Sequence, residues 1–265
     1  MDLGIAGRVA VVTGASKGIG RAVAEALAAA GVHLVVSSRG EAALMETRAR
    51  LQEFGTKVDA VAGDVVATGV TDAIVGTALE AHGRIDVVVN NAGGDAGHLP
   101  IDRLTDADWE DAYRLYVVSP MRITVGALPS MRAQRWGRIV NVSSYTARVP
   151  EPFCAPYAAA KAAIVNATRN LSRSFGAEGI TANCVLPGLT DTEGVRSGLD
   201  EAAAATGRSS EELVTRMLAR APIDTGRLGT SAEVAAAVAF LCSEQAAWIT
   251  GAALNVDGGT VRSAF

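Results

Sequence analysis

Tyr157 and Lys161 stand four residues apart in the run Tyr157-Ala-Ala-Ala-Lys161. On a helix, that spacing puts both side chains on one face. An ammonium beside a phenol favours the tyrosinate, so the Tyr157 pKa is expected to fall from about 10 by roughly 1–3 pH units. Such a phenol can both give and take a proton near neutral pH. Thirteen residues upstream, Ser144 closes the run Asn141-Val142-Ser143-Ser144. That run reads as the end of a strand, and ligands of open α/β sheets bind beyond the carboxyl ends of strands. A Tyr-x-x-x-Lys pair also occurs on ordinary amphipathic surfaces. Its place after this strand makes it a catalytic candidate.

A second constellation is Thr13-Gly14-Ala15-Ser16-Lys17-Gly18-Ile19-Gly20, between a first strand and a first helix. Glycines let backbone turn tightly and approach a pyrophosphate, and a helix N-terminus offers free N–H groups and a positive dipole end. The turn therefore predicts a dinucleotide site, the alternative being a tight structural connection. The second strand ends in Ser37-Ser38-Arg39, with no carboxylate before Glu41. An acid there would receive the 2′-hydroxyl of NAD, whereas an arginine meets the 2′-phosphate of NADP. Arg39 and Lys17 favour NADP(H), with NAD(H) still possible if both are only solvated charges.

These groups need a scaffold, and the patterning supplies one. Short β-branched runs (9–13, 32–36, 58–62, 85–89, 138–142, 180–186, 253–256) alternate with Ala-rich helical stretches (19–30, 41–54, 70–82, 106–131, 157–175, 232–242). Continuous apolar strands mark a sheet buried on both faces, and regular βα alternation marks a parallel one. The expectation is an α/β doubly wound parallel sheet of about seven strands, helices on both faces, as one domain over 1–265. The irregular stretch 188–226 is expected to form a partly helical substrate lid.

The 265 residues are 49% hydrophobic and 20% charged, with a net charge of −4. A slightly acidic chain argues against nucleic acid, whose phosphates call for a basic excess. No run of about 18 apolar residues suggests a membrane span, and no cationic leader precedes an apolar stretch. Cys154, Cys184 and Cys242 read as buried reduced thiols of a cytoplasmic protein, and with His33, His82 and His98 they show no metal-ligand spacing. His98 reads as a surface residue. Cys154 reads as a small packing residue, and Tyr145 and Phe153 as either pocket lining or packing.

The chain resembles the short-chain dehydrogenase/reductase superfamily, in its single-domain branch, over nearly its full length. The glycine turn is similar to the family's cofactor signature, and Gly63-Asp64-Val65 to the element whose Asp holds the adenine. Asn90-Asn91-Ala92-Gly93 matches the turn after the fourth strand. Pro187-Gly188, followed by Thr190 and Thr192, resembles the nicotinamide-side segment, and Asn255-Val256-Asp257-Gly258-Gly259 the C-terminal signature. The resemblance implies a Rossmann-type fold like that of 3-oxoacyl-carrier-protein reductases. It also implies hydride transfer between nicotinamide and a carbonyl or secondary alcohol. Tyr157 would be the general acid/base. Lys161 would tune it and hold the nicotinamide ribose, and Ser144 would hydrogen-bond the reacting oxygen.

The cofactor set implied is Gly14, Ser16, Lys17, Gly18, Ile19, Gly20, Ser38, Arg39, Asp64, Val65, Asn90, Ala92, Gly93, Tyr157, Lys161, Pro187, Gly188, Thr190 and Thr192. The family substrates are small-molecule carbonyls or alcohols, from keto-acyl esters to sugars. A homotetramer built on the helices near 106–131 and 157–175 and the last strand is implied as well. One departure stands out. Seven residues after Trp109 the family usually has an Asn that completes a proton relay; here it is Tyr116. A phenol lacks the amide's paired donor and acceptor. That leaves a second expectation, a dinucleotide-binding protein with little catalysis.

Overall fold

The computed structural model describes residues 2–94, 99–220 and 223–262. Seven parallel strands form one sheet: β1 (Val9–Thr13), β2 (His33–Ser38), β3 (Val58–Ala62), β4 (Val87–Asn90), β5 (Gly137–Val142), β6 (Ile180–Pro187) and, numbered after the two short strands below, β9 (Ala253–Val256). Their order is β3-β2-β1-β4-β5-β6-β9. The strand order reverses between β1 and β4, which pair in register through Val12 and Val89. At that reversal the following loops diverge to opposite faces and open a crevice above the carboxyl ends.

Alternation along the strands fills two apolar layers. Ala10 and Val12 of β1, with Val87 and Val89 of β4, pack under α1 (Gly18–Ala29), α2 (Glu41–Gln52) and α9 (Ser231–Leu241). Val11 and Val88 point the other way, toward α3 (Val70–His82) and α5 (Ser119–Gln134). Side chains of successive strand residues leave opposite faces, so valines of β1 and β4 serve both layers. This is why a chain only 5% aromatic closes its core: β-branched strands pack against alanine-faced helices.

The helix expected over 106–131 is interrupted. It runs as α4 (Asp106–Tyr113), a π-helical turn at Arg114–Val118, then α5. Pro120 cannot donate to the carbonyl four residues back, and Ser119 instead bonds back five residues to the Arg114 carbonyl through its N–H and its hydroxyl, the latter at 2.9 Å. Helix α6 (Ala155–Phe175) follows β5 and carries both Tyr157 and Lys161.

The stretch read as a lid holds two helices, α7 (Glu193–Thr206) and α8 (Ser210–Arg220). It is anchored by a small parallel pair, β7 (Thr190–Asp191) with β8 (Gly229–Thr230), which the sequence did not signal. No helix of the described residues is long and apolar enough to cross a membrane. All three cysteines are buried and free.

Candidate active site

A cleft of about 1580 Å³ lies over the carboxyl ends of β1, β4, β5 and β6. The turn from β1 to α1 lines it with Gly14, Ser16, Lys17, Gly18, Ile19 and Gly20. Ser38 and Arg39 enter from the end of β2, and Asp64 and Val65 from the end of β3. Ala92 and Gly93 follow β4; Pro187, Gly188, Thr190 and Thr192 follow β6.

Asn90 departs from expectation. Its amide is buried and donates to the Asn141 side chain at 2.8 Å and the Thr124 hydroxyl at 3.1 Å, away from the cleft. Asn91 lines the cleft instead. Its amide donates to the carbonyls of Thr13 and Gly14, tying β4 to the glycine turn. The pleat decides this, because neighbouring residues at a strand end face opposite ways.

Two glycines of the turn are required by space and conformation. Gly14 has φ +66, and a Cβ there would meet the Ala92 backbone at 2.8 Å. A Cβ on Gly20 would lie 2.2 Å from the Gly14 carbonyl oxygen. Helix α1 can therefore start directly against the strand, with its N–H groups aimed into the cleft.

That helix N-terminus already holds an anion. The Glu193 carboxylate, at the start of α7, accepts from Gly18 N–H at 2.8 Å and pairs with Arg21. Partial burial alone would raise its pKa. The bonds from its own N–H, from Gly18 and from Arg21 outweigh that and hold it below the usual carboxylate range. Glu193→Gln weakens this clasp between α7 and the glycine turn. Limited proteolysis within 193–220 should then run about fivefold faster, the size of one charge-assisted bond with an exposed ion pair. An unchanged cleavage rate would show that α7 is held by other contacts.

The cluster of Ser144, Tyr157 and Lys161 sits where β5 and α6 meet. Ser144 is buried, and its oxygen accepts from Thr146 N–H at 3.2 Å and from the Thr146 hydroxyl at 3.0 Å. With both lone pairs engaged, its proton is free to donate toward the cleft that it lines together with Tyr157. Thr146 was not foreseen as the residue that orients this hydroxyl. Ser143 donates to the Lys161 carbonyl at 2.8 Å and pins α6 to the strand.

Lys161 lies beneath, fully buried, with Nζ donating to the Val142 carbonyl at 2.7 Å and 5.5 Å from the Tyr157 ring centroid. The lowered tyrosine pKa is not what this geometry produces. Burial pushes the Tyr157 phenol up to about 12, despite the opposing influence of the Ser144 hydroxyl. Burial also brings the Lys161 ammonium down to about 8. Desolvation disfavours the charged form of each group, and here it is the largest influence on both.

Tyr116, on the π turn, is buried against this pair. Its ring meets Tyr157 edge-on, with centroids 5.1 Å apart, and lies 4.4 Å from Lys161 Nζ. Toward the mouth, Tyr145, Phe153, Cys154, Leu115 and Met217 complete the lining. The Tyr145 hydroxyl donates to Glu151 at 3.5 Å, and burial, then Glu151, pushes its pKa up to about 12. Cys154 is buried, and its thiol pKa is raised chiefly by desolvation, as fits a packing residue. His98 lies outside the described residues.

Known proteins share this architecture. A family model described as enoyl-(acyl carrier protein) reductase matches residues 14–261. The chain is 38% identical to a putative ketoacyl reductase of the monensin polyketide synthase of Streptomyces virginiae, covering 95% of this chain and 96% of that protein. It is 35% identical to a 3-oxoacyl-[acyl-carrier-protein] reductase of Vibrio cholerae, covering 97% and 98%. L-Sorbose reductase from Gluconobacter frateurii, solved with NADPH and L-sorbose, superimposes with a TM-score of 0.95 at 34% identity, covering 99% of this chain and 100% of that one.

Proposed function

The chain belongs to the short-chain dehydrogenase/reductase family, and on that premise we propose that it is an NADP(H)-dependent carbonyl reductase with Tyr157 as general acid and base. It is an oxidoreductase acting between C=O and CH–OH groups with a nicotinamide cofactor. The convergence of Ser144, Tyr157 and Lys161 at one end of the dinucleotide cleft carries the reading. A bound nicotinamide supplies the hydride in reduction and accepts it in oxidation.

The cleft's own residues fit such a ligand. Gly18 N–H and Arg21 already take a carboxylate, so this end of the cleft accepts negative charge. Gly14 and Gly20 allow the close backbone approach a pyrophosphate needs. At the substrate end, Tyr157 gives its proton to the carbonyl oxygen, and Ser144 donates to the same oxygen as charge develops there. Lys161 supplies a fixed positive charge below Tyr157. In oxidation the proton moves back to the phenolate. The segment 188–226 acts as the lid of a single catalytic unit.

NADP preference rests on Arg39 and Lys17, both exposed at the cleft with no acid on the β2 end. The solved relatives with sorbose reductase and actinorhodin polyketide ketoreductase activity carry NADPH. Arg39→Asp should weaken NADPH roughly 10–100-fold and favour NADH, because one charge-assisted bond is replaced by repulsion. Fluorescence titration with both cofactors measures this; unchanged NADPH affinity would refute the arginine's role.

The functional test is turnover of a carbonyl panel, keto-acyl thioesters and ketoses included, with NADPH and NADH in both directions. Binding of NADPH without turnover of any carbonyl would favour the second reading, a cofactor-binding protein with little catalysis. Tyr116 in place of a side-chain amide is the observation behind it. The free buried thiols suit a reducing compartment, and we place the enzyme in the cytoplasm. The exposed Val125 on α5 and the exposed Trp248 before β9 support a homotetramer closed over those faces, which light scattering would check.

A further inference from the structure

Tyr116 is a buried aromatic whose two ends are both fixed. Its backbone lies in the π turn at Arg114–Val118. Its hydroxyl accepts from Gly94 N–H at 3.2 Å and donates to the Gly94 carbonyl at 3.3 Å, at the rim of the cleft. Between these anchors the ring stands next to two groups of the active cluster. The Lys161 ammonium is 4.4 Å from the Tyr116 centroid, nearer than the 5.5 Å to the Tyr157 ring. Tyr157 presents its ring at 87° to that of Tyr116. No described carboxylate forms an ion pair with Lys161, whose ammonium donates to the Val142 carbonyl.

A buried ammonium without a counter-ion is attracted to the negative face of an aromatic ring, most strongly where water is excluded. We propose that Tyr116, at the position where the family usually has an Asn, is a positioning residue, the face of its ring holding the Lys161 ammonium beside Tyr157. The inference rests on reading Tyr157 and Lys161 as the reacting pair. The hydroxyl of Tyr116 serves a different purpose, clamping the loop at Gly94 and so fixing the ring plane. The ring, not the hydroxyl, holds the charge.

The ionisable groups around Lys161 are few. Tyr157 comes from its own helix, Tyr116 from the π turn and the Cys184 thiol from β6. The chain has three lysines, and Lys17 and Lys57 are exposed. Protein labelled with [ε-¹³C]lysine therefore gives three signals, and Lys161→Arg identifies the buried one. In the native protein that signal should titrate near pH 8, because burial lowers the ammonium pKa to about 8.

Tyr116→Leu keeps an apolar filler but removes the ring face. It should move the Lys161 titration down by roughly one pH unit, a tenfold loss of proton affinity. Tyr116→Phe keeps the ring and should leave the titration in place. A graded series of ring-fluorinated phenylalanines at position 116 preserves shape while draining the negative face, and the titration should fall stepwise with fluorine count. This series also decides the matter if the leucine variant does not fold.

In NADPH-dependent reduction, the alkaline limb of the pH profile should follow the same order. Two results would overturn the proposal: a Lys161 signal indifferent to fluorination, or a shift in Tyr116→Phe as large as in Tyr116→Leu. Absence of carbonyl turnover by the native enzyme would instead refute the reductase reading, and the lysine titration would still decide the role of the ring.

Discussion

Tyr157→Phe should lower carbonyl reduction by roughly 10³-fold, the usual share of a positioned general acid, while NADPH affinity stays within about twofold. The substitution removes one oxygen at the point where Ser144 and the substrate carbonyl converge. The ring, its edge contact with Tyr116 and the course of α6 are retained. The two directions should differ in pH dependence. With its pKa pushed up to about 12 by burial, Tyr157 keeps its proton at neutral pH and is ready to donate in reduction. Oxidation needs the phenolate, so its rate should climb with pH well beyond neutrality. Steady-state rates with the best carbonyl of the panel, together with cofactor titration, measure both points. More than a tenth of native activity in the phenylalanine variant would remove Tyr157 from the chemistry.

Lys161→Met should abolish most turnover, by about 10²-fold or more, and make the protein more stable. The second effect follows from linkage. The Lys161 pKa falls from 10.5 to about 8 in the folded chain because burial penalises the ammonium. Between those values the unfolded chain binds more protons, so native stability rises with pH across about 8 to 10.5. Below pH 8 the native protein carries the whole cost, on the order of 3 kcal/mol. Methionine fills the space without charge but leaves the Val142 carbonyl without its donor, which returns about 1 kcal/mol. A net gain of about 2 kcal/mol corresponds to a Tm higher by roughly 5 °C at pH 7. The gap between variant and native should close as pH approaches 10.5. A variant less stable than native at pH 7 would mean that the lysine is a structural tie. Such a trade of stability for a charged buried group is expected where chemistry requires it.

Much of this was legible in the residue order. The run Val9–Thr13 followed by the spaced glycines read as a strand turning sharply into a helix, and the fold agrees, with Gly14 and Gly20 sitting where a Cβ would clash. The valine-rich segments showed a sheet covered on both sides, and Ala10–Val11–Val12 divide between two apolar layers. Tyr157 and Lys161 belong to one helix face by spacing alone. Ser144 was placed by the strand that precedes it.

The interruption at Arg114–Val118 was only partly legible. Ser119-Pro120 carries its signal, since a proline without an N–H unsettles the turn before it. A helical period running from 106 to 131 hides that local event. Asn90 and Asn91 were indistinguishable in the sequence, and the pleat of β4 sorted them. Glu193 lies 175 residues from Gly18, and no local pattern brings a carboxylate to that N–H.

The pKa directions belong to the same class. Spacing says that an ammonium neighbours a phenol, and from that alone a lowered tyrosine pKa follows. How far water is removed from both groups is set by β5, β6 and the π turn closing around them, and that desolvation reverses the direction. Sequence by itself determined most of the alternation of strands and helices, the glycine turn between β1 and α1 and the candidate side chains Ser144, Tyr157 and Lys161, because these depend on neighbours along the chain. The tertiary structure alone decided which faces of those groups are dry, which anion sits on α1 and which ring holds the lysine, because those depend on neighbours that only the closed fold supplies.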